Sequence, residues 1–75
     1  MITYSYTAEG ADANDNTWVA EGTTHATQYG QFMDVLENVV KQAFMQLSLG
    51  KAKLSRPSER TRGPYRIVKL LVEEV

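Results

Sequence analysis

QYGQFMDVLENVVKQAFMQLSL, residues 28–49, is the stretch whose spacing decides the architecture. Phe32, Val35, Leu36, Val39, Val40, Ala43, Phe44 and Leu47 recur at steps of three and four. On a helix those positions merge into one broad apolar stripe. Asp34, Glu37, Asn38, Lys41 and Gln42 fall on the opposite side, where Met45 is expected to be an exposed apolar residue with Leu49 nearby. Glu37 and Lys41 form an i, i+4 pair in the favourable order, contributing about 0.3 kcal/mol on an exposed face. Thr27 is the expected N-cap, with Thr24 as competitor, and Gly30 in the first turn is a small cost. Gly50 stands where a left-handed glycine ends a helix, followed by Lys51 and Lys53 near its negative end.

The segments on either side alternate instead. Ile2, Tyr4, Tyr6 and Ala8 interleave with Thr3, Ser5 and Thr7, which predicts a strand over 2–8 buried on one side only. GADANDN, residues 10–16, is turn chemistry, so a hairpin leads to a second strand over 17–24. Gly22 there weakens the strand or marks a bulge. Thr3, Ser5, Thr7, Thr17, Glu21 and Thr23 are expected to face away from the helix, as a wet sheet face. YRIVKLLVEEV, residues 65–75, predicts the third strand, but its apolar residues fall on both faces. Such a strand is usually covered on both sides. The expected fold is therefore α+β: one helix packed on a three-stranded antiparallel sheet of order 2-1-3. Tyr4, Tyr6, Trp18, Phe32 and Phe44 are expected in its core.

Seventy-five residues make a single small domain with a thin margin of stability. Chains of this size commonly gain from disulfides, a metal or a partner subunit. The absence of cysteine excludes the first, and a lone histidine, His25, points away from the second. No run approaches the ~20 apolar residues of a membrane helix. The start MITYSYTAEG lacks the basic and apolar regions of a signal peptide, so a cytoplasmic location is expected.

Charge is distributed unevenly, although the net charge is only −1. Residues 1–40 carry six acids and no Lys or Arg; residues 51–69 carry seven bases and one acid, Glu59. GKAKLSRPSERTRGPYR, residues 50–66, holds Lys51, Lys53, Arg56, Arg60, Arg62 and Arg66. Pro57 and Gly63-Pro64 stop the helix, so residues 50–63 are expected to form a long, flexible basic loop. Three readings of it stand side by side. It is a solvated connection; or it docks on an acidic protein surface; or it grips nucleic acid through phosphate contacts, with Tyr65 stacking on a base. Against the last, the domain as a whole is not basic and carries no recognition motif.

A second surface comes from the third strand. Val68, Leu70 and Val72 are the expected oligomer interface, because an apolar set left uncovered, or an open strand edge, invites pairing with another copy. Asp12 and Asp15 lack the spacing of a calcium loop and read as solvated turn acids. Ser55 and Ser58 lie among bases without a specific signal. One histidine, no cysteine and no glycine-rich phosphate loop point away from an enzyme, and neither a cofactor nor a metal is expected. The β-β-α-β order resembles that of small antitoxin-like and phage inhibitor domains, in element order alone. The function expected is thus a small accessory protein, an inhibitor or regulator of phage or mobile-element type. It would act through protein contact, with nucleic-acid binding through residues 51–66 as the alternative.

Overall fold

The computed structural model describes residues 1–26 and 31–75. In chain order it contains β1 (Ile2–Ala11), β2 (Thr17–Ala26), α1 (Phe32–Ser48), β3 (Lys53–Leu54) and β4 (Arg66–Glu74). The strands form one antiparallel sheet in the order β3-β2-β1-β4, with α1 on one face, an α+β fold. The three long strands take the expected order. The sheet has a fourth member because Lys53 and Leu54, just past the helix, run beside Val19 and Trp18. Two residues carry no alternation, so nothing in the sequence separates them from loop.

β4 explains its own irregular pattern. Its register against β1 shifts between Glu9 and Gly10: Glu9 stands opposite Lys69, but Gly10 stands opposite Ile67. Val68 is the extra residue of a β-bulge. The bulge lets Ile67 and Leu70, three apart, point to the same side, where both pack on the core with Val72 further along. Leu71, opposite Thr7, faces the other way, and Val68 is 73 % exposed. The expected set Val68, Leu70 and Val72 is therefore split: Leu70 and Val72 lie on the helix side, Val68 does not.

Two glycines are required by close approach. A Cβ on Gly10 would run into the Arg66 carbonyl oxygen and meet the Trp18 ring at 2.6 Å. A Cβ on Gly22 would meet Tyr6 Oη at 2.7 Å, for the Tyr6 ring lies over it. Gly22 pairs in register with Tyr6, so it marks an aromatic crossing rather than a bulge.

The helix buries a narrower stripe than its sequence suggests: Val35, Val39, Ala43 and Leu47. They meet Tyr6, Ala8, Trp18 and Ala20 of β1 and β2. Phe32, expected inside, is 52 % exposed, though its ring meets Tyr4 edge-on at 6.1 Å. Phe44 is half-buried between Trp18 and Tyr65. Met45 and Leu49 are exposed as expected. Gln31 stands at the N-cap without a side-chain bond, and Asp34 supplies an acid in the first turn. The expected cap Thr27 and Gly30 lie outside the described residues. Thr24 is no cap: it sits buried in β2 and accepts a hydrogen bond from Gln42 Nε2 at 3.1 Å. Gly50 takes φ 71° and closes the helix as expected, its N–H bonding Leu47 O at 3.2 Å. No helix among the described residues is long and apolar enough to cross a membrane.

Candidate functional site

The hairpin between β1 and β2 is built by its own side chains. Asp12 Oδ1 accepts from the backbone N–H of Asn14 at 2.8 Å and of Asn16 at 2.9 Å. Asp15 takes φ 58°, a left-handed backbone that aspartate tolerates. Both Asp12 and Asn16 are fully buried. Their remaining bonding capacity goes to the long loop after the helix. Asp12 Oδ2 accepts from the N–H of Arg62 at 3.1 Å, and the Ala13 N–H bonds Arg62 O at 2.9 Å. Asn16 Oδ1 accepts from Arg56 N–H and from Ser55 Oγ, both at 3.0 Å, while its Nδ2 donates to Arg56 O at 3.1 Å. Ser55 closes the pattern: its N–H bonds Thr17 O, and its hydroxyl accepts from Thr17 N–H.

The backbone of the basic loop is thus tied to the hairpin at Ser55, Arg56 and Arg62. Asp12, which along the chain reads as a solvated turn acid, is a buried bracket instead. Burial by itself raises its carboxyl. The N–H groups of Asn16, Arg62 and Asn14, with the nearby Arg56 guanidinium, outweigh that and hold it below its ordinary 3.8. A carboxylate needs several donors to stay ionised inside, and here the backbone supplies them.

The tie sets where the predicted cations stand. Arg56, Arg60 and Arg62 gather with Asn14 and Glu59 around one shallow depression. Arg56 Nε pairs with Glu59 at 3.2 Å, and its guanidinium donates to Asn14 O at 2.6 Å. Arg66, at the start of β4, pairs with Asp15 at 2.7 Å. Lys51, Lys53, Arg60 and Arg62 are exposed and have no ion-pair partner among the described residues. Lys51 and Lys53 line a separate small hollow with Val19, Glu21 and Gln46. Tyr65 is not offered to a ligand: its ring packs on Phe44, centroids 6.1 Å apart, and its hydroxyl bonds Thr61 Oγ1 at 3.1 Å. Ser55 is likewise committed, to Asn16 and Thr17. Between the end of α1 and the loop lies a cleft of about 520 Å³. Leu47, Leu49, Ala52 and Leu54 give it an apolar lining, and Glu59 and Arg60 add charge.

Other candidates hold less. His25 is exposed, with Nδ1 3.0 Å from Thr3 Oγ1. Among the described residues no group of three or more His, Asp or Glu side chains is placed to hold a metal ion. Tyr6 is raised above 10.0 by burial, a shift its bond from Gln46 Nε2 at 2.7 Å partly offsets. The bracketing role of Asp12, Asn16 and Ser55 is not legible along the chain. The turn-forming character of Asp and Asn was visible there, but not that residues 39 to 50 positions later would complete their bonding. No family model, curated protein or solved structure matches this chain.

Proposed function

We propose that this is a non-catalytic binding protein that works through protein–protein contact. Its contact surface is the tied basic loop together with the adjoining cleft. The partner is an acidic protein segment carrying apolar side chains, which enter the cleft while Lys51, Arg60 and Arg62 meet its carboxylates. The observation that carries the reading is the pair of buried brackets, Asp12 and Asn16, which fix the loop backbone at Arg56 and Arg62, beside a cleft of mixed lining to which Arg60 contributes. Loop order already present in the free protein lowers the entropy cost of binding. Charge complementarity then sets orientation and on-rate. Arg56 and Arg66 are already paired with acids, and Tyr65 is turned inward, so the surface suits a protein better than a run of phosphates and bases. We place its action in the cytoplasm, with which a cysteine-free composition accords. An inhibitor or regulator that covers a surface on a larger machine is the form of activity this supports.

The test titrates a synthetic Glu- and Leu-containing peptide and a random DNA oligonucleotide across a salt series. Expected are peptide binding that persists at raised salt and is lost in Arg60→Glu/Arg62→Glu, and weak oligonucleotide binding that salt abolishes. Tighter oligonucleotide binding with a steep salt slope would establish the nucleic-acid alternative instead. Binding of neither probe would remove the loop as a contact surface.

A further inference from the structure

We infer that β4 is the self-association edge of this protein, and that its occupant is β4 of a second copy, running antiparallel. This does not rest on the loop reading above; it comes from the opposite edge of the sheet. The β2 edge is blunted. β3 covers Trp18 and Val19, and Gln46 Nε2 donates to Glu21 O at 2.9 Å. Among the described residues no strand lies beyond the nine residues of β4. The Val75 N–H bonds Thr3 O at 2.8 Å, so odd-numbered residues up to the bulge turn their backbone groups toward β1. By the alternation of an antiparallel ladder, Leu70 and Val72 turn theirs outward. A long unpaired edge of that kind is a template for pairing.

The helix leaves room above it. α1 packs over β1 and β2. Gln42 and Gln46 take the β2 side, and Phe44 leans on Tyr65 at the other. The flank shared with Phe44, namely Met33, Leu36 and Val40, therefore overhangs the β4 side, with Met33 69 % exposed. Leu70 and Val72 beneath are only partly buried. Two copies joined at β4 would set these flanks face to face over Leu70 and Val72 of both. Among the described residues the core otherwise counts four alanines in nine buried apolar residues, a thin basis for a chain this small.

The charges of β4 select the register. Lys69 and Glu73 lie two residues either side of Leu71, on the uncovered face. With Leu71 opposite its own copy, each Lys69 meets Glu73 of the second copy, and Leu70 pairs with Val72 through the outward backbone groups. Sliding the register by one pair in either direction sets both charges against apolar residues. The strand is self-complementary about Leu71 alone.

Sedimentation equilibrium and cross-linking test this on the full chain. The wild type is expected at twice its 8.4 kDa mass. Glu73→Lys puts like charges together twice, and is expected to weaken association about tenfold or more. Lys69→Glu/Glu73→Lys is expected to restore it, with far-UV circular dichroism confirming the fold because Lys69 also faces Glu9. In a chain without cysteine, Leu71→Cys should oxidise to a covalent dimer, since non-hydrogen-bonded antiparallel pairs bring side chains close. Thr23→Cys, on the same face but in β2, should not. A wild type that stays at 8.4 kDa at every concentration overturns the inference. So does a dimer indifferent to Glu73→Lys, or a folded double variant that remains monomeric.

Discussion

At the hairpin end of the sheet, polar groups are buried and satisfied; along β4, apolar groups are exposed and backbone groups unpaired. Asp12 and Asn16 are fully buried, yet every bond they make has a partner within 3.1 Å. Val68 and Leu71 sit in the open on a strand that, among the described residues, has no neighbour on one side. The contrast shows how a chain of this size divides its resources. Its small apolar core lies between α1 and the β1–β2 pair; the far loop packs Ala52, Leu54 and Tyr65 against that core and is tied to the hairpin by hydrogen bonds. The β4 edge receives neither treatment, which is why it reads as a surface that a partner completes.

The hairpin end and β4 meet at Gly10, and the largest effect is expected there. Gly10→Ala drives a methyl group into the Arg66 carbonyl and the Trp18 ring. A loss of about 3 kcal/mol is expected, the upper end of overpacking costs. Denaturant unfolding measures it, and a loss below about 1 kcal/mol would mean that β1 and β4 separate easily at the bulge. Asn16→Ala comes next. It strands the Arg56 N–H and carbonyl in a partly buried site. A loss of about 2 kcal/mol is expected in the same assay.

Asp12→Asn is expected to act through pH. The Asp12 carboxyl is held below its ordinary 3.8 in the folded chain, so it binds protons more weakly there than when unfolded. Its contribution is complete above that value and is lost as pH falls through the folded value. The wild type should lose melting temperature below about pH 4, and the variant should lose less over the same range. Equal slopes would show that the carboxylate is not held by its donors. Val68→Thr is the smallest effect: at dilutions where the chain is monomeric, stability should stay within about 0.5 kcal/mol of wild type.

The residues that stayed legible in the sequence are those governed by local period. Val35, Val39, Ala43 and Leu47 mark the buried stripe because a helix repeats regularly, and Tyr6, Ala8, Trp18 and Ala20 mark the inner sheet face by alternation. Phe32 keeps the periodic position, but as the first helical residue it stays half exposed with its ring edge-on to Tyr4. β4 looked apolar on both faces because one bulge residue, Val68, breaks the period of two. The basic residues of the loop were visible as a cluster, but their arrangement was not. It depends on Asp12 and Asn16 reaching across 39 to 50 positions, and no spacing rule along a chain encodes that. The same hydrogen bonds turned Ser55 from an exposed candidate into a bracket.

Amide hydrogen exchange at Arg56 and Arg62 reports on the tie itself, because their N–H groups are donated to Asn16 Oδ1 and Asp12 Oδ2. Both amides should exchange as slowly as those of β1, with Arg56 becoming fast in Asn16→Ala. Exchange of either at the rate of an unstructured peptide, in the intact protein, would contradict the account: the loop would then be untied, and the cations would have no set place.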